Sequence, residues 1–180
     1  MTDDEPFLLA QRLHEQGDEA GALAAFERAA RAAHQQFDPA TEAKAMLGAG
    51  DVRRLLGDAA GARDAYEEAI ARAMEGGERL VEADAHFALA LVAFDQGHSK
   101  DGHDALLEAM ALYRDEGGDE AKWRLARAVR HYGEHLGVLG STPEARQALE
   151  LARAMFTDLG DRAAADGIAD DLARLADYAR

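Results

Sequence analysis

The chain has 180 residues, 20 Lys plus Arg against 35 Asp plus Glu, and a formal net charge of −15 at pH 7. A surface that reads phosphates needs surplus basic side chains, so this balance excludes an ordinary nucleic-acid binder and argues against docking on anionic membranes. Apolar residues make up 48% and cysteine is absent, so a packed core is expected, while disulfides, thiolate metal sites and Cys nucleophiles are excluded.

Helix is the expected class throughout. Alanine, the strongest helix former, occurs 42 times, whereas Val, Ile and Thr together occur 11 times, too few to furnish a sheet. In chain order the pattern predicts helices over 5–16, 19–36, 40–56, 59–76, 79–96, 99–116, 119–139, 142–159 and 162–178. The opening Met1-Thr2-Asp3-Asp4-Glu5-Pro6 has neither the basic nor the apolar part of a secretory signal, and no apolar run reaches the ~20 residues that span a bilayer. A cytoplasmic location is expected. With 17 Arg to 3 Lys and no Asn, the composition suggests a high-GC bacterial source.

The stops between helices recur. Gly17-Asp18, Gly57-Asp58, Gly97-His98 and Gly140-Ser141 mark one series, at spacings of 40, 40 and 43. Phe37-Asp38-Pro39, Gly76-Gly77-Glu78, Gly117-Gly118-Asp119 and Gly160-Asp161 interleave with it. Glycine suits the left-handed residue that ends a helix, and Asp or Ser suits the cap that begins the next. A regular repeat of this size signals stacked helix pairs that bury their apolar stripes against one another.

In the second helix of each pair a small residue, an aromatic and an alanine recur as Ala22, Phe26, Ala29 and as Ala62, Tyr66, Ala69. The pattern weakens to Gly102, Leu106, Ala109 and Ala145, Leu149, Ala152. Gly50 and Gly133 stand at the small position of the first helices, with Ala10 and Ala90 in the other two. Together these residues resemble the tetratricopeptide repeat (TPR) family, and the period near 40 resembles its longer, kinesin-light-chain-like type. The resemblance implies an all-α, right-handed α-solenoid of four helix-turn-helix repeats in one domain, 1–180. The repeats would fall at about 5–38, 39–77, 78–118 and 119–160, with a capping helix over 161–180. That last helix carries Ala164, Ile168, Leu172 and Leu175 on one face, with Asp166, Asp170, Asp171, Arg174 and Asp177 elsewhere.

For function, the resemblance implies a non-enzymatic scaffold that holds a protein or peptide partner in a concave groove, without a cofactor. The groove positions are Asp4, Phe7, Gln11, His14 and Glu15, then Lys44, Leu47, Asp51, Arg54 and Leu55. They continue with Asp84, Phe87, Leu91, Phe94 and Asp95, and with Arg127, Arg130, His131, Glu134, Gly137 and Val138. Phe7, Leu47, Phe87, Leu91 and Phe94 are the apolar anchors, unless neighbouring helices bury them. Without Asn the set does not reproduce the family's carboxylate clamp, although Arg127 and Arg130 could meet an acidic group.

Two alternatives remain open. Alanine-rich helices make shallow cores, so self-association into a homo-oligomer is the second expectation. The third rests on His131-Tyr132-Gly133-Glu134-His135, which matches H-x-x-E-H; two His at i and i+4 can share a zinc, with Glu134 as the base of a hydrolase. Gly133 already fits the repeat's small position, however, and only 45 residues follow His135. No Ser-His-Asp set or phosphate loop accompanies the motif, so the chain reads as a non-enzyme.

Overall fold

The computed structural model describes residues 5–178, with side chains described over 6–175. Asp4 and the Asp177 side chain, both assigned positions above, lie outside the described residues. Among the described residues there are nine α-helices and no strand: α1 (Glu5–Glu15), α2 (Glu19–Gln35), α3 (Pro39–Leu55), α4 (Ala59–Gly76), α5 (Arg79–Asp95), α6 (Ser99–Glu116), α7 (Gly118–Val138), α8 (Thr142–Asp158) and α9 (Arg162–Tyr178). Each expected helix is present and each end falls within one residue of its expected place. The all-α expectation holds.

The stops work as their chemistry requires. Asp18, Asp38 and Asp58 accept hydrogen bonds from the backbone N–H groups of Gly21, Thr41 and Gly61 at 2.9, 3.1 and 2.9 Å, and Asp161 accepts from Ala164 at 3.0 Å. Each such cap stabilises its helix by about 1 kcal/mol. Glu78 and Ser141 occupy the same position without a side-chain cap bond. Glycines 17, 57, 77, 97, 140 and 160 turn the chain at φ between 72° and 81°. Phe37 does the same work at φ 58°, the one non-glycine to do so among the described residues. A side chain in that conformation costs about 1–2 kcal/mol.

The chain divides into two compact units, Met1–Ala105 and Leu106–Arg180, the division falling within α6. In the first, α3 packs against α2 and α4 and also meets α1 and α5. Its interior consists of small clusters. Ala10, Ala22, Ala25, Phe26, Ala49 and Val52 form one, flanked by Phe7, Leu9, Leu13 and Leu23. Ala62, Tyr66, Ala69, Ala85, Ala88 and Val92 form another, flanked by Met46, Leu47, Ile70 and Leu89. The repeated small-aromatic-small stripe is buried as Ala22, Phe26, Ala29 and as Ala62, Tyr66, Ala69. Gly50 fits because its face lies against the Tyr66 ring, where a Cβ would collide with the ring carbons.

In the second unit α8 lies against α7 and α9, and α7 also meets α9. Ala126, Val129, Ala145, Leu149, Ala152, Phe156, Ile168 and Leu175 lead its core. The face that α9 buries is Ala165, Ile168, Asp171 and Leu175, with Ala164 and Leu172 only half-buried. It is therefore rotated from the expected stripe, and one carboxylate is carried inward. No described helix is long and apolar enough to cross a membrane.

Candidate functional site

In the first unit the expected groove residues lie on α1, α3 and α5. Gln11 is exposed, while Phe7, His14, Leu47, Asp51, Arg54, Asp84, Leu91 and Phe94 are half-buried. Phe87, at 5% exposure, is part of the interior. Phe7 packs edge-on against Phe26 with ring centroids 5.7 Å apart, and Phe94 meets His103 edge-on at 6.3 Å. Leu47 lies against two buried clusters, one with Tyr66 and one with Ala43, Ala73 and Val81. Helical packing thus takes up part of every apolar anchor, and nearly all of Phe87.

The polar members assemble around Asp51. The Tyr66 hydroxyl donates to its Oδ1 at 2.8 Å, from the neighbouring helix α4. Burial pushes the Asp51 carboxyl above its usual range and the Asp84 charge adds to this, against the Tyr66 hydrogen bond and the charges of Arg54 and His14. Burial, then the Asp51 charge, push the Tyr66 hydroxyl upward as well. His14 Nδ1 is 2.8 Å from Glu19 Oε2, and Lys44 Nζ donates to Glu78 Oε1 at 3.0 Å. The sequence pattern found Asp51, Arg54 and Asp84. It gave Tyr66 a packing role only, because its position in the repeat says nothing of where the hydroxyl ends.

In the second unit Arg127, Arg130, His131 and Glu134 follow one another along α7. Arg127 lies over the Trp123 ring, its guanidinium carbon 5.6 Å from the centroid. The Trp123 indole N–H donates to Asp161 at 2.9 Å; that bond, followed by the Ala164 N–H, holds the Asp161 carboxyl below its usual range. Arg130 Nε donates to Glu134 Oε1 at 3.1 Å and to Asp171 Oδ2 at 2.7 Å. Arg174 donates to the other oxygen of Asp171. Asp171 is only 5% exposed, so two guanidinium groups offset the cost of burying its charge.

His131 Nδ1 lies 3.0 Å from Glu134 Oε2. Burial alone would raise the Glu134 carboxyl, but the His131 hydrogen bond and charge, with those of Arg130, outweigh it and hold the group low. No three His, Asp or Glu side chains among the described residues converge as metal ligands. The zinc alternative through His131, Glu134 and His135 therefore has no three-ligand set there.

Beside this network is a cavity of about 290 Å³, lined by Gly133, Glu134, Gly137 and Val138 of α7, Leu149 of α8, and Asp171, Arg174 and Leu175 of α9. Gly133 is needed for close approach, since a Cβ would stand 2.9 Å from Leu149 Cγ. Asp171 and Arg174 were missed because charged residues on a terminal helix normally face water. The available signal was spacing: Asp171 lies three residues after Ile168 and four before Leu175, in register with the buried stripe.

Helix pairs of these lengths, stopped by left-handed turns and sealed by a small-aromatic-small stripe, define a TPR-like all-α solenoid fold. The solved structures share it. A putative kinesin light chain with nearly identical TPR-like repeats, from Podosopora anserina, is 16% identical over 97% of this chain and 85% of its own, with TM-score 0.70. BtubC (BKLC) from P. vanneervenii is 17% identical over 96% and 78%, also at 0.70. The MamA protein is 16% identical over 98% and 89%, at 0.56. No family model and no curated protein matches the sequence.

Proposed function

We propose that this chain is a non-enzymatic protein-interaction scaffold whose α1, α3 and α5 residues take a peptide or partner helix, with α7 offering a second set. The supporting observation is the combination in the first unit of half-exposed apolar side chains, Phe7, Leu47, Leu91 and Phe94, with the Asp51-Arg54-Asp84 polar group. Apolar anchors beside a few fixed polar groups are how proteins recognise short segments. Gln11 and Lys44 supply adjustable contacts at exposed positions, and in the second unit Arg127, Arg130, His131 and Glu134 supply charge. Phe87 enters this reading as the buried support of its neighbours. The likeness to TPR-like repeat structures, one of them described as a kinesin light chain, favours a binding role over catalysis. In the same reading four repeats and a closing ninth helix make one domain, working in the cytoplasm of a bacterium without a cofactor.

Displayed peptide libraries panned against the purified chain test the proposal. Selected peptides are expected to lose affinity on both Asp84→Lys and Leu91→Gln variants whose helicity is unchanged. Peptides that bind both variants as tightly as the parent chain overturn the groove assignment.

A further inference from the structure

We propose that the chain associates head to tail with a second copy, Phe37 of one copy entering the α7–α9 cavity of the next. This does not rest on the peptide-binding reading, although the socket shares Glu134, Gly137 and Val138 of α7 with the expected groove positions. Phe37 is 92% exposed and holds a left-handed backbone that glycine provides in the comparable turns. A glycine there would relieve the strain and remove an apolar ring from water, so the aromatic side chain is unfavourable to the isolated chain on two counts. An outlier of this kind points to a contact made elsewhere.

The cavity offers a matching socket. At about 290 Å³ it exceeds the ~150 Å³ that accommodates benzene in an engineered core. Its walls at Gly133, Gly137, Leu149 and Leu175 are apolar. Val138, 76% exposed, stands among the lining residues. Arg174, whose side chain is 68% exposed, can cover the face of an aromatic ring. Since each copy carries both knob and socket, the contact is heterologous and leaves a free knob at one end and a free socket at the other.

Sedimentation velocity from about 10 μM to 1 mM, the range of weak single-anchor association, tests the proposal. Salt near 0.15 M, with a Debye length of ~8 Å, limits repulsion between chains of charge −15. The parent chain is expected to grow in mass with concentration. Phe37→Gly, which lacks the knob, and Val138→Arg, which blocks the socket, are each expected to weaken association at least ~30-fold, equivalent to about 2 kcal/mol. Phe37→Gly is also expected to raise thermal stability. An equimolar mixture of the two variants restores one intact contact and is expected to stop at a 1:1 pair. If circular dichroism shows that Val138→Arg does not fold, Val138→Gln takes its place at the same exposed position. A parent chain that stays monomeric throughout, a variant that associates as the parent does, or a mixture that forms no pair overturns the proposal.

Discussion

Tyr66, which fills the interior between α3 and α4, also reaches Asp51 with its hydroxyl at 2.8 Å, so one side chain serves both the core and a buried carboxylate. The hydrogen bond favours the charged form of Asp51, yet burial still leaves that carboxyl raised. A carboxyl raised in the fold binds protons more readily there than in the unfolded chain. Its ionisation therefore weakens the fold as pH climbs from the unfolded value of 3.8 through the folded one. Asp51→Asn is expected to raise stability at pH 7, with the gain shrinking as pH falls back through that window. Tyr66→Phe, which strips the partner from the carboxylate, is expected to cost about 1–3 kcal/mol at pH 7. Urea unfolding at pH 7 and pH 4 reads both; an Asp51→Asn chain weakened at pH 7 as much as Tyr66→Phe contradicts the account.

The Arg130–Asp171 pair joins α7 to α9 at 2.7 Å. Removing one partner of a buried pair costs about 3–5 kcal/mol when the remaining charge is stranded. Arg174 remains on Asp171, so Arg130→Ala is expected to cost about 2–3 kcal/mol. The double variant Arg130→Met with Asp171→Leu leaves no buried Asp171 charge, and Glu134 keeps His131 as its partner, so most of the loss is expected to be recovered. A double-mutant cycle by thermal unfolding measures this, and a double variant as unstable as the single one would refute it.

Glu134 has the opposite sign from Asp51. Its folded carboxyl is depressed, so its contribution is fully present above the unfolded value of 4.5 and is lost as pH falls through the folded value. Stability followed by chemical denaturation from pH 6 down to pH 3 is expected to decline in that window, and Glu134→Gln to lack this part of the decline. Equal slopes in the two proteins would assign the acid sensitivity to other groups.

Gly50 tests the repeat's packing. Alanine there gains about 1 kcal/mol of helix propensity, but its Cβ would collide with the Tyr66 ring, and overpacking costs about 1–3 kcal/mol. A net destabilisation near 1 kcal/mol is expected for Gly50→Ala. A melting temperature raised by the substitution would show that the ring can move aside.

Backbone-level features were legible because they depend on local chemistry. Glycines and capping aspartates mark where helices stop, and the Ala62-Tyr66-Ala69 spacing marks which side is covered. Destinations of polar atoms were less legible. Phe87 and Phe94 look alike in the repeat, but Phe87 is drawn into the interior while Phe94 remains half-open against His103. Asp171 resembles its exposed neighbour Asp170, and its burial is made tolerable by Arg130, arriving from another helix, together with Arg174 of its own. Such pairings lie 41 residues apart, beyond the reach of periodicity.

In the first unit the interior is several small pools lined mainly by alanine, two of them built around the rings of Phe26 and Tyr66. Elements that depend only on their neighbours melt in succession instead of all at once. Amide exchange should accordingly sort the unit into patches that open at different free energies, α1 fraying earliest and the α3–α4 hairpin holding longest. Such graded loosening would let α1 adjust its shape while the α3–α4 hairpin stays fixed.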